Sequence, residues 1–194
     1  MSLQHAILGV LEARPMTGYE LTRFFESTAR WVWTAPQSQI YPLLRRLEEE
    51  GLIVGEEQVR GEKLKRTSYS LTPLGHNDLI EWLGGIYEEP SMRDPMLLKV
   101  LYFDMVDPDV AERVLTEHIA ALEIVIEQWS IHRARLLARD TPLLRERLRS
   151  RPESDHERIA TLKAHVFGYL IESATLRIRW ARTAIGIATG RSSD

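Results

Sequence analysis

Apolar residues recur at helical spacing from the start of the chain. Leu3, Ile7, Leu8 and Leu11 mark one helix face, and the run stops near Arg14-Pro15, where proline does not continue a helix. Thr17 followed by Glu20 has the form of a capping box, which predicts a second helix with Leu21, Phe24 and Phe25 on its apolar side. A bulky loop, Trp31-Val32-Trp33, precedes Pro36, which predicts the first position of a third helix, where its missing N–H costs little. In that helix Ile40, Leu43, Leu44 and Leu47 follow i, i+3, i+4, i+7 and form one buried face. The opposite face carries Ser38, Tyr41, Pro42, Arg45 and Glu49, flanked by Gln39 and Arg46, and Gly51 suits the left-handed residue that ends such a helix.

Beyond Gly51 the period changes. Leu52-Ile53-Val54 and Thr67 to Leu71 read as two strands, with Tyr69 and Leu71 on one face. Between them Arg60-Gly61-Glu62-Lys63-Leu64-Lys65-Arg66 sets four cations and one anion around a turn glycine. Thr72-Pro73 then predicts a capped helix through Leu74, Leu79 and Leu83, closed by Gly84-Gly85. The polar, proline-bracketed stretch from Glu88 to Pro95 is the best boundary between domains, dividing residues 1–88 from 95–194. The second domain reads as helical throughout. Asp107-Pro108 predicts the start of a long helix to Arg139, and Ser154 with Glu157 predicts a capping box opening another to about Ala188. In the first, Leu115, Ile119, Leu122, Ile126 and Trp129 step by four and three, the spacing of a coiled-coil seam. The second carries Leu162, Val166, Tyr169, Leu170, Leu176 and Trp180.

Composition narrows the chemistry. The chain has no cysteine, so disulfides, thiolate metal sites and thiol nucleophiles are excluded. No stretch approaches the ~18 uninterrupted apolar residues of a membrane span, and the amino terminus lacks the pattern of a signal peptide, so a cytoplasmic location is expected. The six histidines show no His-Glu-x-x-His or comparable spacing, and neither a phosphate-cradling glycine loop nor a nucleophile elbow is present. An enzyme, a metal and a cofactor are therefore not expected.

Three helices, a basic two-stranded hairpin and a further capped helix make the layout of a winged helix-turn-helix. The fold class is mainly α with a small hairpin wing, followed by a long-helix dimerisation domain. A helix fits the major groove, where base edges are distinguishable, and a cationic wing reaches the neighbouring phosphates. That chemistry assigns Gln37, Ser38 and Gln39 as polar readers near the helix start, Tyr41 and Arg45 to bases or phosphates further along, and Lys63, Lys65 and Arg66 to the DNA backbone. Net charge gives no support: residues 1–94 carry 10 Lys/Arg against 14 Asp/Glu, so any contact must come from local clusters. The alternative is a helical interaction protein whose winged domain binds protein instead of DNA, and Arg45 and Arg46 are equally able to pair with Glu48, Glu49 and Glu50.

The run from Gln39 through Ile40-Tyr41-Pro42-Leu43-Leu44-Arg45-Arg46-Leu47-Glu48-Glu49-Glu50 to Gly51-Leu52-Ile53 resembles the third-helix signature of the PadR family of transcriptional regulators. Thr17-Gly18-Tyr19-Glu20-Leu21 is similar to that family's second-helix start, and Tyr69 to Gly75 to its strand-to-helix junction. The remainder is similar in length and helicity to longer members with a virulence-activator-type carboxy-terminal domain. The resemblance implies a homodimer on a two-fold operator in double-stranded DNA, usually acting as a repressor and often released by a small aromatic or hydrophobic effector. It also implies DNA roles for Tyr19, Tyr41 and the wing cations. Pro36 departs from the hydroxyl residue many members carry there.

Two long helices with apolar stripes cannot bury them in a lone hairpin, so pairing with a second copy is expected through Leu115, Ile119, Leu122, Ile126, Trp129, Leu162, Val166, Tyr169, Leu170, Leu176 and Trp180. Trp129, Trp180 and Tyr169 also suit an aromatic-lined ligand site, although core packing explains them as well. Arg133, Arg135, Arg139, Arg145, Arg147, Arg149 and Arg151 suit an anionic ligand or DNA, but read rather as a solvated charged face.

Overall fold

The computed structural model describes residues 3–27, 31, 33, 35–60, 64–86 and 93–191, with the backbone alone at 58–60, 64 and 65. Its first helix, α1 (Leu3–Leu11), turns Ile7, Leu8, Val10 and Leu11 inward. A two-residue strand, β1 (Met16–Thr17), leads into α2 (Gly18–Ser27). The capping box forms as its spacing predicts: the Thr17 amide donates to Glu20 Oε2 at 2.8 Å, and the Glu20 amide donates to Thr17 Oγ1 at 3.2 Å. Helix α3 (Gln37–Glu49) begins one residue later than its proline suggests, because Pro36 stays extended and serves as the N-cap, its carbonyl accepting from the Gln39 and Ile40 amides.

The end of α3 is a Schellman closure. The Gly51 amide donates to Glu48 O and the Leu52 amide to Leu47 O, with Gly51 at φ 72°, where only glycine is unstrained. The chain then runs into β2 (Ile53–Arg60) and returns as β3 (Leu64–Leu71). The sheet order is β1-β3-β2, antiparallel throughout, with Tyr69 opposite both Met16 and Gly55. Both wing strands are longer than their apolar ends suggest, because the ladder continues through polar residues to the pair Arg60–Leu64. Helix α4 (Pro73–Gly84) opens on Thr72, whose hydroxyl accepts from the Gly75 amide at 3.1 Å.

Ile7, Leu8, Leu21, Phe25, Ile40, Leu44, Leu47 and Ile53 form the fully buried centre of this region, with Trp33, Tyr69 and Leu71 packed against it. Burial of each such side chain contributes about 1.5–3 kcal/mol, so this cluster holds α3 and the wing strands on one frame. Helix α7 (Pro142–Arg149), distant in sequence, belongs to the same compact unit, which comprises Met1–Glu88 and Pro142–Ser150. Arg147 anchors it there, pairing with Glu12 at 2.5 Å and donating to Gly9 O.

The second unit, Glu89–Thr141 with Arg151–Asp194, is built on two long helices. Helix α5 (Pro95–Val100) and a 3-10 turn (Phe103–Met105) precede α6 (Pro108–Leu137), and α8 (Glu153–Thr189) runs antiparallel to α6. Asp107 stands at the N-cap of α6 without a side-chain cap bond, whereas Asp94 caps α5 by accepting from the Met96 and Leu97 amides. Ser154 is not the cap of α8: Pro152 holds that place and its carbonyl takes the Asp155 amide, so the expected capping box lies inside the first turn. Among the described residues, no helix is long and apolar enough to cross a membrane.

Candidate nucleic-acid interface

Helix α3 buries Ile40, Leu44 and Leu47 and leaves Gln37, Ser38, Gln39 and Arg45 exposed. Leu43, expected on the buried face, is only half-buried and borders an open groove of about 590 Å³ with Leu3, Gln4, His5, Gln39, Pro42 and Arg46. Pro36, at the N-cap of α3, supplies no side-chain cap bond. Pro42 sits within the helix, where its missing N–H withdraws the i+4 donor from the Ser38 carbonyl. That carbonyl is on the exposed face, so water or a ligand can serve it.

Tyr41 is half-turned from solvent, at 37% exposure, and its ring lies against the first residue of α2. A Cβ at Gly18 would stand 2.9 Å from Tyr41 Cε1, so this packing requires glycine. Tyr19, next along α2, is 61% exposed. Arg14 and the Thr17 amide and hydroxyl surround Glu20; burial alone would raise its pKa, but these donors hold it below the usual range.

The cations divide. Arg46 donates to Gln4 Oε1 at 3.1 Å and faces Glu50 at 3.5 Å, so the intrahelical pairing weighed from sequence holds for it. Arg45 makes no such pair among the described residues. On the wing, Arg66 is exposed; Lys65 lies on β3 opposite Val59, and its side chain and the whole of Lys63 lie outside the described residues.

One contact has no counterpart in the sequence reading. Glu48, on the last turn of α3, accepts the Gly55 amide of β2 at 2.9 Å. A Cβ at Gly55 would stand 2.5 Å from Glu48 Oε1, 2.8 Å from Thr67 Cγ2 and 3.2 Å from Tyr69 Cε1. Burial, then the Glu48 carboxylate and Tyr41, push the Tyr69 hydroxyl above its usual range, against the opposing Arg45 guanidinium. Tyr41, Arg45 and Glu48 of α3 thus all lie within electrostatic reach of Tyr69 at the base of the wing. Spacing of seven residues across a chain reversal gives no periodic signal, so nothing in the sequence marks Glu48 for this contact.

In the second unit the α6 seam is filled within the chain. Leu115 and Ile119, expected between two copies, are buried against Ile178, Ala181 and Ala184 of α8; Leu122, Ile126 and Trp180 pack on the same cluster. Trp129 and Leu170 are half-buried, and Leu162, Val166, Tyr169 and Leu176 are exposed. Tyr169 and Trp180 are eleven residues apart on α8, about 16 Å along its axis, so they do not line one small cavity. Arg177 ties the two helices to α5: its Nε donates to His118 Nε2 at 2.8 Å and its fork engages Asp94. Of the arginines read as solvated, Arg149 pairs with Glu146 and Arg135 donates to Asp140 O, while Arg147 is the anchor of α7.

An exposed helix face beside a two-stranded wing has the form needed to enter a DNA groove and touch backbone alongside it. Residues 7–81 match the family described as the transcriptional regulator PadR-like family. The negative transcriptional regulator PadR of Bacillus subtilis is 28% identical over 144 residues, which are 73% of this chain and 78% of that one. The crystal structure of Bacillus subtilis PadR in complex with operator DNA superposes with a TM-score of 0.77 at 24% identity, over 97% of this chain and 99% of that one. Its complex with p-coumaric acid gives 0.69 at 23%, over 96% and 98%. At these identities the two structures establish a shared fold along nearly the whole chain.

Proposed function

This chain belongs to the PadR-like family of transcriptional regulators, and from that premise we propose that it is a cytoplasmic, homodimeric, sequence-specific DNA-binding repressor. The observation that carries the reading is α3 itself, with Gln37, Ser38, Gln39 and Arg45 exposed on a helix packed beside the wing. On this reading Gln37, Ser38 and Gln39 meet base edges. Tyr19, Tyr41 and Arg45 hold bases or phosphates, and Lys63, Lys65 and Arg66 contact backbone. Repression is proposed because the Bacillus subtilis relative is a negative regulator. A small aromatic or hydrophobic effector is proposed because that protein has also been solved with p-coumaric acid.

Support for the homodimer comes from α8, which carries an exposed apolar stripe besides its inner seam. Ala160, Ala164, Phe167, Ile171, Ala174, Ile178, Ala181 and Ile185 step by four and three, and are buried or half-buried on the inner side. Two positions on in the same register, Leu162, Val166, Tyr169, Leu176 and Ile187 are 44–78% exposed, with Ser173, Trp180 and Thr183 at the other places. A second long-helix seam of that kind suits the same seam of another copy, and two wings so joined would present their helices one DNA turn, roughly 34 Å, apart.

The test is selection of duplexes from a random-sequence pool by the full-length protein, followed by titration of the enriched duplex across a salt series. A two-fold motif bound with steep salt dependence is expected, since each phosphate contact adds about −0.9 to the slope of log K against log salt. Failure to enrich any sequence would overturn the reading in favour of a protein-binding winged domain.

A further inference from the structure

We propose that Glu48 is a positioning residue for DNA binding: by accepting the Gly55 amide it sets the angle between the recognition helix and the wing. The inference rests on the DNA-binding reading above. Glu48 closes α3, Gly55 is the third residue of β2, and the bond between them at 2.9 Å joins the two elements beyond the turn at Gly51. The contact is with strand backbone, since the missing Cβ of Gly55 is what lets the carboxylate and the Thr67 and Tyr69 side chains close on it.

Leverage makes this bond matter more than its own strength. From Gly55 to the strand end at Arg60 is five residues, about 17 Å at strand rise, so a tilt of about 10° at the base moves the far end by about 3 Å. That displacement is enough to break hydrogen bonds to phosphate, which tolerate only a few tenths of an ångström. The charge of Glu48 points the same way. A carboxylate beside a phosphate-binding face repels DNA, and here its lone pair is committed to the wing strand.

Glu48→Gln and Glu48→Ala remove the same charge, but only glutamine keeps an oxygen that reaches the Gly55 amide. Glu48→Asp keeps the charge and is one methylene too short. On the duplex selected by the wild-type protein, E48A is expected to bind about tenfold more weakly than E48Q, with a shallower salt slope and loss of the wing-side footprint. Its major-groove footprint and its mass in solution should be unchanged. E48D is expected to bind about tenfold more weakly than wild type, which keeps the test open if E48A does not fold. E48A binding as well as or better than E48Q, or E48D equal to wild type, would overturn the proposal while leaving the DNA-binding reading intact. A wild-type protein that selects no duplex would instead remove the reading on which it rests.

Discussion

The ring of Tyr41 lies over the backbone of Gly18, with the position of a Gly18 Cβ only 2.9 Å from its Cε1 and 3.1 Å from its Cζ. Helix α3 is thereby seated on the amino end of α2, and Tyr41 keeps part of its ring exposed to solvent. Gly18→Ala adds helix propensity of roughly 0.5–1 kcal/mol, while crowding of the ring costs about as much, so thermal stability should shift little. DNA affinity should nonetheless fall about tenfold, because Tyr41 must swing from its seat to admit the methyl. Equal melting temperatures with unequal titration curves would bear this out; unchanged affinity would remove Tyr41 from the interface.

The part-buried tie between α7 and the carboxy-terminal end of α1 gives a second expectation. Glu12 and Arg147 retain 13% and 19% of their side-chain exposure, and Arg147 also serves the Gly9 carbonyl. Removing one member leaves the other charge largely out of water. Arg147→Ala should therefore cost about 2 kcal/mol in chemical denaturation followed by tryptophan fluorescence. Replacing both residues with leucine should recover most of that loss. Equal losses in the single and double variants would mean that the packing of Leu144 and Leu148, rather than the charges, holds α7.

Much of the amino-terminal unit was legible because local chemistry and periodicity agreed there. The Thr17–Glu20 box, the Gly51 closure and the Thr72-Pro73 start each announce themselves within four residues, and Ile40, Leu44 and Leu47 declare their face. What escaped was relational. The step of Leu115, Ile119, Leu122 and Ile126 states that a helix packs there but not whose helix, and α8 of the same chain fills it. The α8 inner seam is alanine at four of eight positions, too weakly hydrophobic to stand out beside Leu162, Val166, Tyr169 and Leu176, yet alanine is what admits α6 closely. The polar length of the wing left no apolar pattern to read, and the i, i+4 pair Leu144 and Leu148 marks a buried face on α7 without saying what covers it.

Acid should loosen the second unit in two stages. His118 accepts the Arg177 Nε proton, and burial, then the Arg177 charge, hold its pKa below the usual histidine range against the opposing pull of Asp94. A folded pKa below the unfolded one gives stability that is complete above about pH 6.5 and declines as pH falls from there. Arg177 and the Met96 and Leu97 amides hold Asp94 down at about 2, so its contribution is lost later, between the unfolded carboxylate range near pH 4 and pH 2. The Asp94 part is worth about 1 kcal/mol once solvent access to the pair is discounted. His118→Gln, which still offers an oxygen to Arg177, should flatten the upper stage and leave the lower. A pH–stability curve identical to wild type would show that His118 does not titrate with unfolding.

The two seams of α8 make a prediction that separates folding from assembly. Ile178 and Ala181 face α6, so a charge there unfolds the second unit; a buried unpaired carboxylate costs several kcal/mol. Val166 and Leu176 sit on the outer seam, exposed in the single chain, where a charge costs that chain almost nothing. In a homodimer joined by this seam, Val166→Glu with Leu176→Glu brings like charges from two copies together. The helical signal should then persist while the mass in solution halves. Operator affinity should fall by at least a hundredfold, because the second half-site no longer binds as part of the same molecule. A dimer that survives both glutamates would move the interface off this seam, and the exposed Leu97, Leu98, Leu101 and Tyr102 would be the next residues to change.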